Sequence, residues 1–413
     1  MLQVSVVPFG SPLRDRASMD ERVSHYLGQL RTIPGYEFTV MPPDAFPCGE
    51  GREGGVTLIL ALSGGIEASV LEFLARSDEP ALILAHPADN AVAAAIEILA
   101  FLNTTGRTGR IVQAFGNWCD SLASLLALFA ARAAMKGARL GVIGTRDVEV
   151  MAPWRLSQQV ARVWGPRLVY VDLKDLVDAV KSADDAEARE AAEEFRKNAV
   201  SVVEPDVTVL TGVGRIYIGL RNLVAKHRLD AVTVKCFDLL PLLRNTGCYA
   251  LARLNEEGVP AACEADVLSA LGMLFLRRLT GQPSFMANPS VIDLDRGRII
   301  LAHCTVPRTM ARAYTVRSHF ESGIGAAIHG EIPPGAVTVA RLGGRQLAEV
   351  FAASGRLVEC GARDDMCRTQ LTVDLHGPMD AHALLRKPLG NHHLVVLGDW
   401  ARTIHDFVYL FTA

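Results

Sequence analysis

The 413-residue chain has no surplus of positive charge, no CxxC pair, few lysines and no apolar run near membrane-spanning length. Each shortage excludes something. With 42 Lys and Arg against 45 Asp and Glu, a formal charge of -3 and a pI near 6.4, no basic stripe is available to neutralise phosphates. Nucleic acid is therefore not an expected partner, and a small molecule is. The eight cysteines fall at 48, 119, 236, 248, 263, 304, 360 and 367 without a regular framework, which argues against a structural zinc and a disulfide scaffold. Reduced, mostly buried thiols in a cytoplasmic protein are the expectation. The start, "MLQVSVVPFG", alternates like a strand and lacks a basic n-region, and the longest apolar stretches fall short of about 18 residues, so no export and no membrane span are expected. Lysine occurs at only seven positions, a bias from which no function follows.

What is present is an ordinary globular composition, 50% apolar and 21% charged, long enough for two or three domains. Short apolar runs alternate with helical stretches from the N-terminus: "VSVVPF", "VTLILAL", "ALILAH" and "RIVQAF" are each followed by a helical pattern, the last by "SLASLLALFAARAAM". The rhythm restarts after residue 138 with "RLGVIG", "LVYVD" and "AVTVK". Strands and helices alternating at this spacing predict parallel sheets. The acidic stretch 173–199 reads as a solvated helical face. Beyond residue 284 the pattern changes to short runs such as "RIILAHCTV", "GAVTVARLG" and "QLTVDL", separated by Gly and Pro. The predicted fold class is α/β, with two doubly wound Rossmann-like layers followed by a β-rich, barrel-like domain. The expected boundaries are 1–137, 138–283 and 284–413.

"LSGGIE" (62–67) and "VIGTRD" (142–147) sit at strand-to-helix junctions where backbone N–H groups can hold an anion, but neither completes a phosphate-loop pattern, and tight turns are the simpler reading. Histidines are more informative. "LGNHHLVVLGD" places His392 and His393 at the head of a strand, where neighbouring side chains face opposite ways and only one can reach a given site. His303, in "LAHCT", reads as a structural histidine at a strand end, and His376 and His382 as surface residues. Lys235, in "VKCFD", reads as a surface lysine, with a substrate contact as the alternative. "CEADV" (263–267) sets Glu264 and Asp266 where an apolar run meets a helix, so that Asp266 is expected to cap the helix.

The segment "CEADVLSALGMLFLRRLTGQPSFMANPS" (263–290), followed by "LAHCT" and later "GNHH", resembles the L-fucose isomerase and L-arabinose isomerase family over roughly residues 230–400. The resemblance puts the family's metal-binding glutamate on Glu264, its "LTG" on Leu279, Thr280 and Gly281, and its C-terminal histidine on His392, with His393 the alternative. The family's second carboxylate falls on Asn288. It implies a divalent metal, Mn²⁺ first and Mg²⁺ second, a trimer or hexamer, and aldose–ketose isomerisation of a free or modified monosaccharide. Glu264 would then be ligand and acid/base, Asn288 a weak ligand or substrate contact, and Asp266 a support for the ligands. An amide cannot act as a base, so the second proton transfer would pass to another group such as Asp266, Asp293 or Asp238. The alternatives on the same scaffold are an enediolate-forming lyase or transferase, and a sugar-binding protein without turnover.

Overall fold

The computed structural model describes residues 1–45, 55–144 and 151–412. Cys48 and the residues of "VIGTRD" after Gly144 lie outside them. The chain forms two compact units, Met1–Ala133 with Phe407–Ala413, and Ala134–Asp406.

The first unit holds five strands, β1 (Leu2–Phe9), β2 (Tyr36–Val40), β3 (Val56–Ala61), β4 (Ala81–Ala85) and β5 (Gly109–Gln113). They pair in parallel in the order β2-β1-β3-β4-β5. The core packs Ile59, Ala61, Ile83 and Ala85 against Val70, Phe73, Ala94 and Ile98 of the connecting helices. "LSGGIE" forms a tight turn, in which Gly64 N–H donates to Asp89 O and Ser63 Oγ accepts from Ser11 N–H. The helix Trp118–Met135 is long and apolar enough to cross a membrane by length and composition, contrary to the expectation that no such stretch exists, and 39% of it is buried. The last residues of the chain return to this unit. Thr108 Oγ1 donates to Leu410 O at 2.8 Å, Tyr409 OH donates to Asn103 at 3.1 Å, the Arg110 guanidinium lies 4.1 Å from the centre of the Tyr409 ring, and Phe411 meets Phe129 edge-on.

The second unit starts with β6 (Arg139–Ile143) and β7 (Arg167–Val171) and continues with β8 (Ser201–Val202), β9 (Ala231–Val234) and β10 (Ala261–Ala262). A parallel sheet runs β10-β9-β6-β7. Next come β11 (Phe285–Asp293), β12 (Arg298–His303), β13 (Ala313–Arg317), β14 (Ala327–Glu331), β15 (Gly335–Gly343), β16 (Glu349–Gly361), β17 (Thr369–Leu375) and β18 (His393–Leu397). Six of these close an antiparallel barrel, β11-β12-β17-β16-β15-β18, while β14, β13 and β8 form a small sheet. The α/β class and the barrel agree with the alternation of the sequence.

One helix ties the parallel sheet to the barrel. Val267–Thr280 is buried continuously from Val267 to Leu276 and packs on β9, β15 and β18. Each large apolar side chain so removed from water contributes roughly 1.5–3 kcal/mol. The start is fixed by Asp266, whose carboxylate accepts from Ser269 N–H at 2.9 Å. The end is fixed by Gly281, at φ 70°, where glycine carries no Cβ penalty. This helix and its cap bring β10, β15 and β18 together at the site.

Candidate active site

β9 and β10 are parallel, and their carboxyl ends open toward the barrel, the usual place for a ligand in such sheets. Directly after β10, Glu264 and Ala265 both adopt left-handed backbone, at φ 60° and 50°. Non-glycine residues there cost about 1–2 kcal/mol each. The turn is held by Ala265 N–H donating to Val234 O at 3.0 Å and Asp266 N–H donating to Cys263 O at 3.1 Å. It aims the Glu264 carboxylate between two imidazoles: Oε1 lies 3.6 Å from His303 Nε2, at the end of β12, and Oε2 lies 3.3 Å from His392 Nε2, next to β18. All three side chains are nearly excluded from water, at 12%, 5% and 0% exposure.

His392 is fixed from its other side. Its Nδ1 donates to Asp266 Oδ2 at 2.9 Å, and Asp266 also accepts from Arg341 Nη1 at 2.9 Å and from Ser269 Oγ at 2.7 Å. Burial alone would raise the Asp266 pKa, but the Arg341 charge and the His392 hydrogen bond hold it well below the usual carboxylate range. An ionised carboxylate only accepts, so the proton sits on Nδ1 and Nε2 faces Glu264. That buried Nε2 has no hydrogen-bond partner, because Glu264 is near it but out of line.

Burial opposes the charged forms of Glu264 and His392, yet the histidines hold the Glu264 pKa well down, and the Asp266 hydrogen bond with the nearby Glu264 carboxylate pushes His392 up to about 9. Without a metal the His392 imidazolium therefore balances the Glu264 carboxylate at neutral pH, and a divalent ion bound in this cage of groups would displace its Nε2 proton. Donors about 2.1 Å from a common ion lie about 3.4 Å apart in a tetrahedral arrangement. The 3.6 and 3.3 Å separations run to different oxygens of Glu264, and the donor atoms that converge within 4.8 Å of one another are those of Glu264, His303 and Cys263.

A small cavity opens beside this cage, lined among others by Glu264, Asn288, His303, His319, Glu321 and Cys263. Asn288 is there, its Oδ1 accepting from Asn391 at 3.4 Å. His393 is not brought to Glu264: its Nδ1 lies 3.2 Å from Asn391 O and its ring meets Phe351 edge-on. Nor do the other carboxylates weighed for proton transfer line the cavity. Asp266 is locked beneath His392, Asp238 pairs with Lys235 at 3.0 Å, and Asp293 accepts from Arg296 N–H at 3.1 Å.

His319 and Glu321 carry no sequence signal of their own, because they belong to the turn that follows β13. Burial, reinforced by His303, pushes His319 down to about 4, so it is neutral at pH 7. Burial and the Glu264 charge raise the pKa of Glu321. Arg341 did carry a signal, as the single charge within the apolar "GAVTVARLG", and a charge buried in a barrel strand needs a partner.

No family model matches the chain. Curated relatives do. The chain is similar to proteins named sulfoquinovose isomerase. The one from Alkalicoccus urumqiensis is 24% identical over 301 residues, 71% of this chain and 67% of that relative. The one from Clostridium sp. (strain MSTE9) is 27% identical over 165 residues, covering 39% and 36%, and the one from Priestia megaterium is 22% identical over 218 residues, covering 51% and 48%. The chain thus spans between about a third and two thirds of the length of these relatives.

Proposed function

We propose that the protein is an aldose–ketose isomerase acting on a modified monosaccharide, that the relatives' name points to a sulfonated sugar, and that Glu264, His303 and His392 hold a divalent cation. The observation that carries this reading is the Glu264 carboxylate set between two buried imidazoles at the wall of a cavity lined by Asn288, His319 and Glu321. Shifting a carbonyl between neighbouring carbons requires removal of a weakly acidic C–H proton and stabilisation of the charge left on oxygen. A divalent cation, when bound, would supply that stabilisation.

The side chains divide the remaining work. Asp266 and Arg341 fix the orientation and tautomer of His392. Asn288, an amide, is suited to hold a sugar hydroxyl and not to carry a proton. Glu264, held ionised, is suited to face a cation, and Glu321, whose carboxyl is the more readily protonated of the two, is suited to take up and return the substrate proton. His319, neutral, can hydrogen-bond to hydroxyl groups. The free thiols of the described cysteines support a cytoplasmic location, and the family resemblance supports a homo-oligomer.

The test is conversion of a sulfonated aldose, with neutral and phosphorylated sugars as comparisons, followed by NMR in deuterated water. Exchange at the carbon that loses its proton should accompany ketose formation, and Glu264→Gln should lower the rate about 10³-fold. Full activity of that variant, or no conversion of any of these sugars, would refute the reading.

A further inference from the structure

Among the described residues, Cys263 is the one thiol that meets both the carboxylate and an imidazole of the cage. Its Sγ, a Glu264 carboxylate oxygen and a His303 ring nitrogen all lie within 4.8 Å of one another, and Cys263 is 6% exposed. Consecutive residues of a strand face opposite sides. Here the left-handed backbone at Glu264 and Ala265 turns the chain so that Cys263 and Glu264 line the same cavity. On its other side Glu264 pairs through Oε2 with the buried His392 Nε2 at 3.3 Å, which holds the carboxylate in the cluster.

We infer that Cys263 is a further donor to the metal site, so that the site takes a borderline or thiophilic divalent cation of the zinc and cobalt class in preference to Mn²⁺ or Mg²⁺. The inference rests on the metal site proposed above and is independent of which sugar is used. One thiolate, one carboxylate and the His303 imidazole, whose donor atoms converge, form a set suited to zinc, cobalt or ferrous iron, whereas magnesium and manganese favour oxygen-rich sites. Without a metal, the Cys263 thiol donates to Cys236 Sγ at 2.8 Å, and Cys236 donates to Val234 O at 3.1 Å. Cys236 is therefore satisfied by the backbone and does not depend on Cys263. Coordination replaces the S–H bond of Cys263 by an S–metal bond and releases that proton to solvent, with no change of oxidation state.

The experiment is titration of the chelator-treated full-length protein with Co²⁺, followed by absorption spectroscopy. Wild type should develop a thiolate-to-cobalt charge-transfer band in the near ultraviolet together with visible ligand-field bands, and Zn²⁺ should displace both. Cys263→Ser should lose the near-ultraviolet band, keep the visible bands and bind Zn²⁺ at least about tenfold more weakly. Cys236→Ser should keep the band. Cobalt binding to wild type with visible bands only would overturn the assignment of Cys263 while leaving the Glu264, His303 and His392 site intact. Loss of the band in Cys236→Ser and not in Cys263→Ser would overturn it too. No cobalt binding by wild type would overturn the metal site itself. The wild-type spectrum decides the matter even if a variant fails to fold.

Discussion

Arg341 and Asp266 form an ion pair of 2.9 Å in which both side chains are completely buried, at 0% exposure. Asp266 in turn holds His392, so the pair is the foundation on which the site imidazole stands. Removing one member of a buried pair strands the other charge in a low-dielectric interior, at about 3–5 kcal/mol. Arg341→Leu should lower unfolding stability by that amount in urea denaturation. The double variant Arg341→Leu/Asp266→Asn should be less destabilised than the sum of the two single changes, because no charge remains stranded. Additive losses would show that the two residues do not act as a pair.

Ala265 gives the opposite result. It is buried in left-handed backbone, so Ala265→Gly removes a Cβ penalty and should stabilise the protein by about 0.5–1 kcal/mol. The thermal melting temperature should rise, and the geometry of Glu264 should be retained.

Proton linkage predicts a stability maximum near pH 6.5 in chelator-treated protein. His392, raised to about 9, contributes stability that is fully present below pH 6.5 and is lost as the pH rises toward 9. His393 is pushed down to about 3, by burial first and the Arg341 charge second, and His319 to about 4. Both stay neutral in the fold while the unfolded chain protonates, so stability falls as the pH drops below about 6.5, by roughly 1.4 kcal/mol per pH unit for each. Melting curves from pH 4.5 to 9.5 should trace both arms. His393→Gln should flatten the acid arm, and a bound divalent cation the alkaline one.

Asn288→Asp places a second carboxylate on the cavity that holds Glu264. The added negative charge should tighten divalent cation binding about tenfold, about 1.4 kcal/mol, by calorimetric titration. Unchanged affinity would show that position 288 stays outside the metal's reach.

Much of this architecture was legible because the strands are short, apolar and separated by turn residues. "ALILAH" gives Ala81–Ala85, and "GAVTVARLG" gives Gly335–Gly343 residue for residue. The acidic stretch 173–199 proved to be two helices, Leu173–Lys181 and Asp185–Lys197, because Asp184 caps a second start. Asp266 as a cap was readable from its position before the apolar helix. Period-2 alternation told that His392 and His393 diverge, but not which one would turn inward. That choice depends on Asp266, 126 residues away. His303 reads as structural in isolation, since nothing local to "LAHCT" announces a carboxylate, and only barrel closure brings β12 beside the β10 turn. His319 and Glu321 were invisible for the same reason, as a turn has no periodicity to mark which side chains point into a cavity.

The seven terminal residues from Phe407 onward belong to the unit made by the first 133. During synthesis, then, the first 133 residues wait until Tyr409 and Leu410 have been made before the partners of Thr108, Asn103 and Arg110 arrive. A fragment ending near residue 133 would be a scaffold with an open seam.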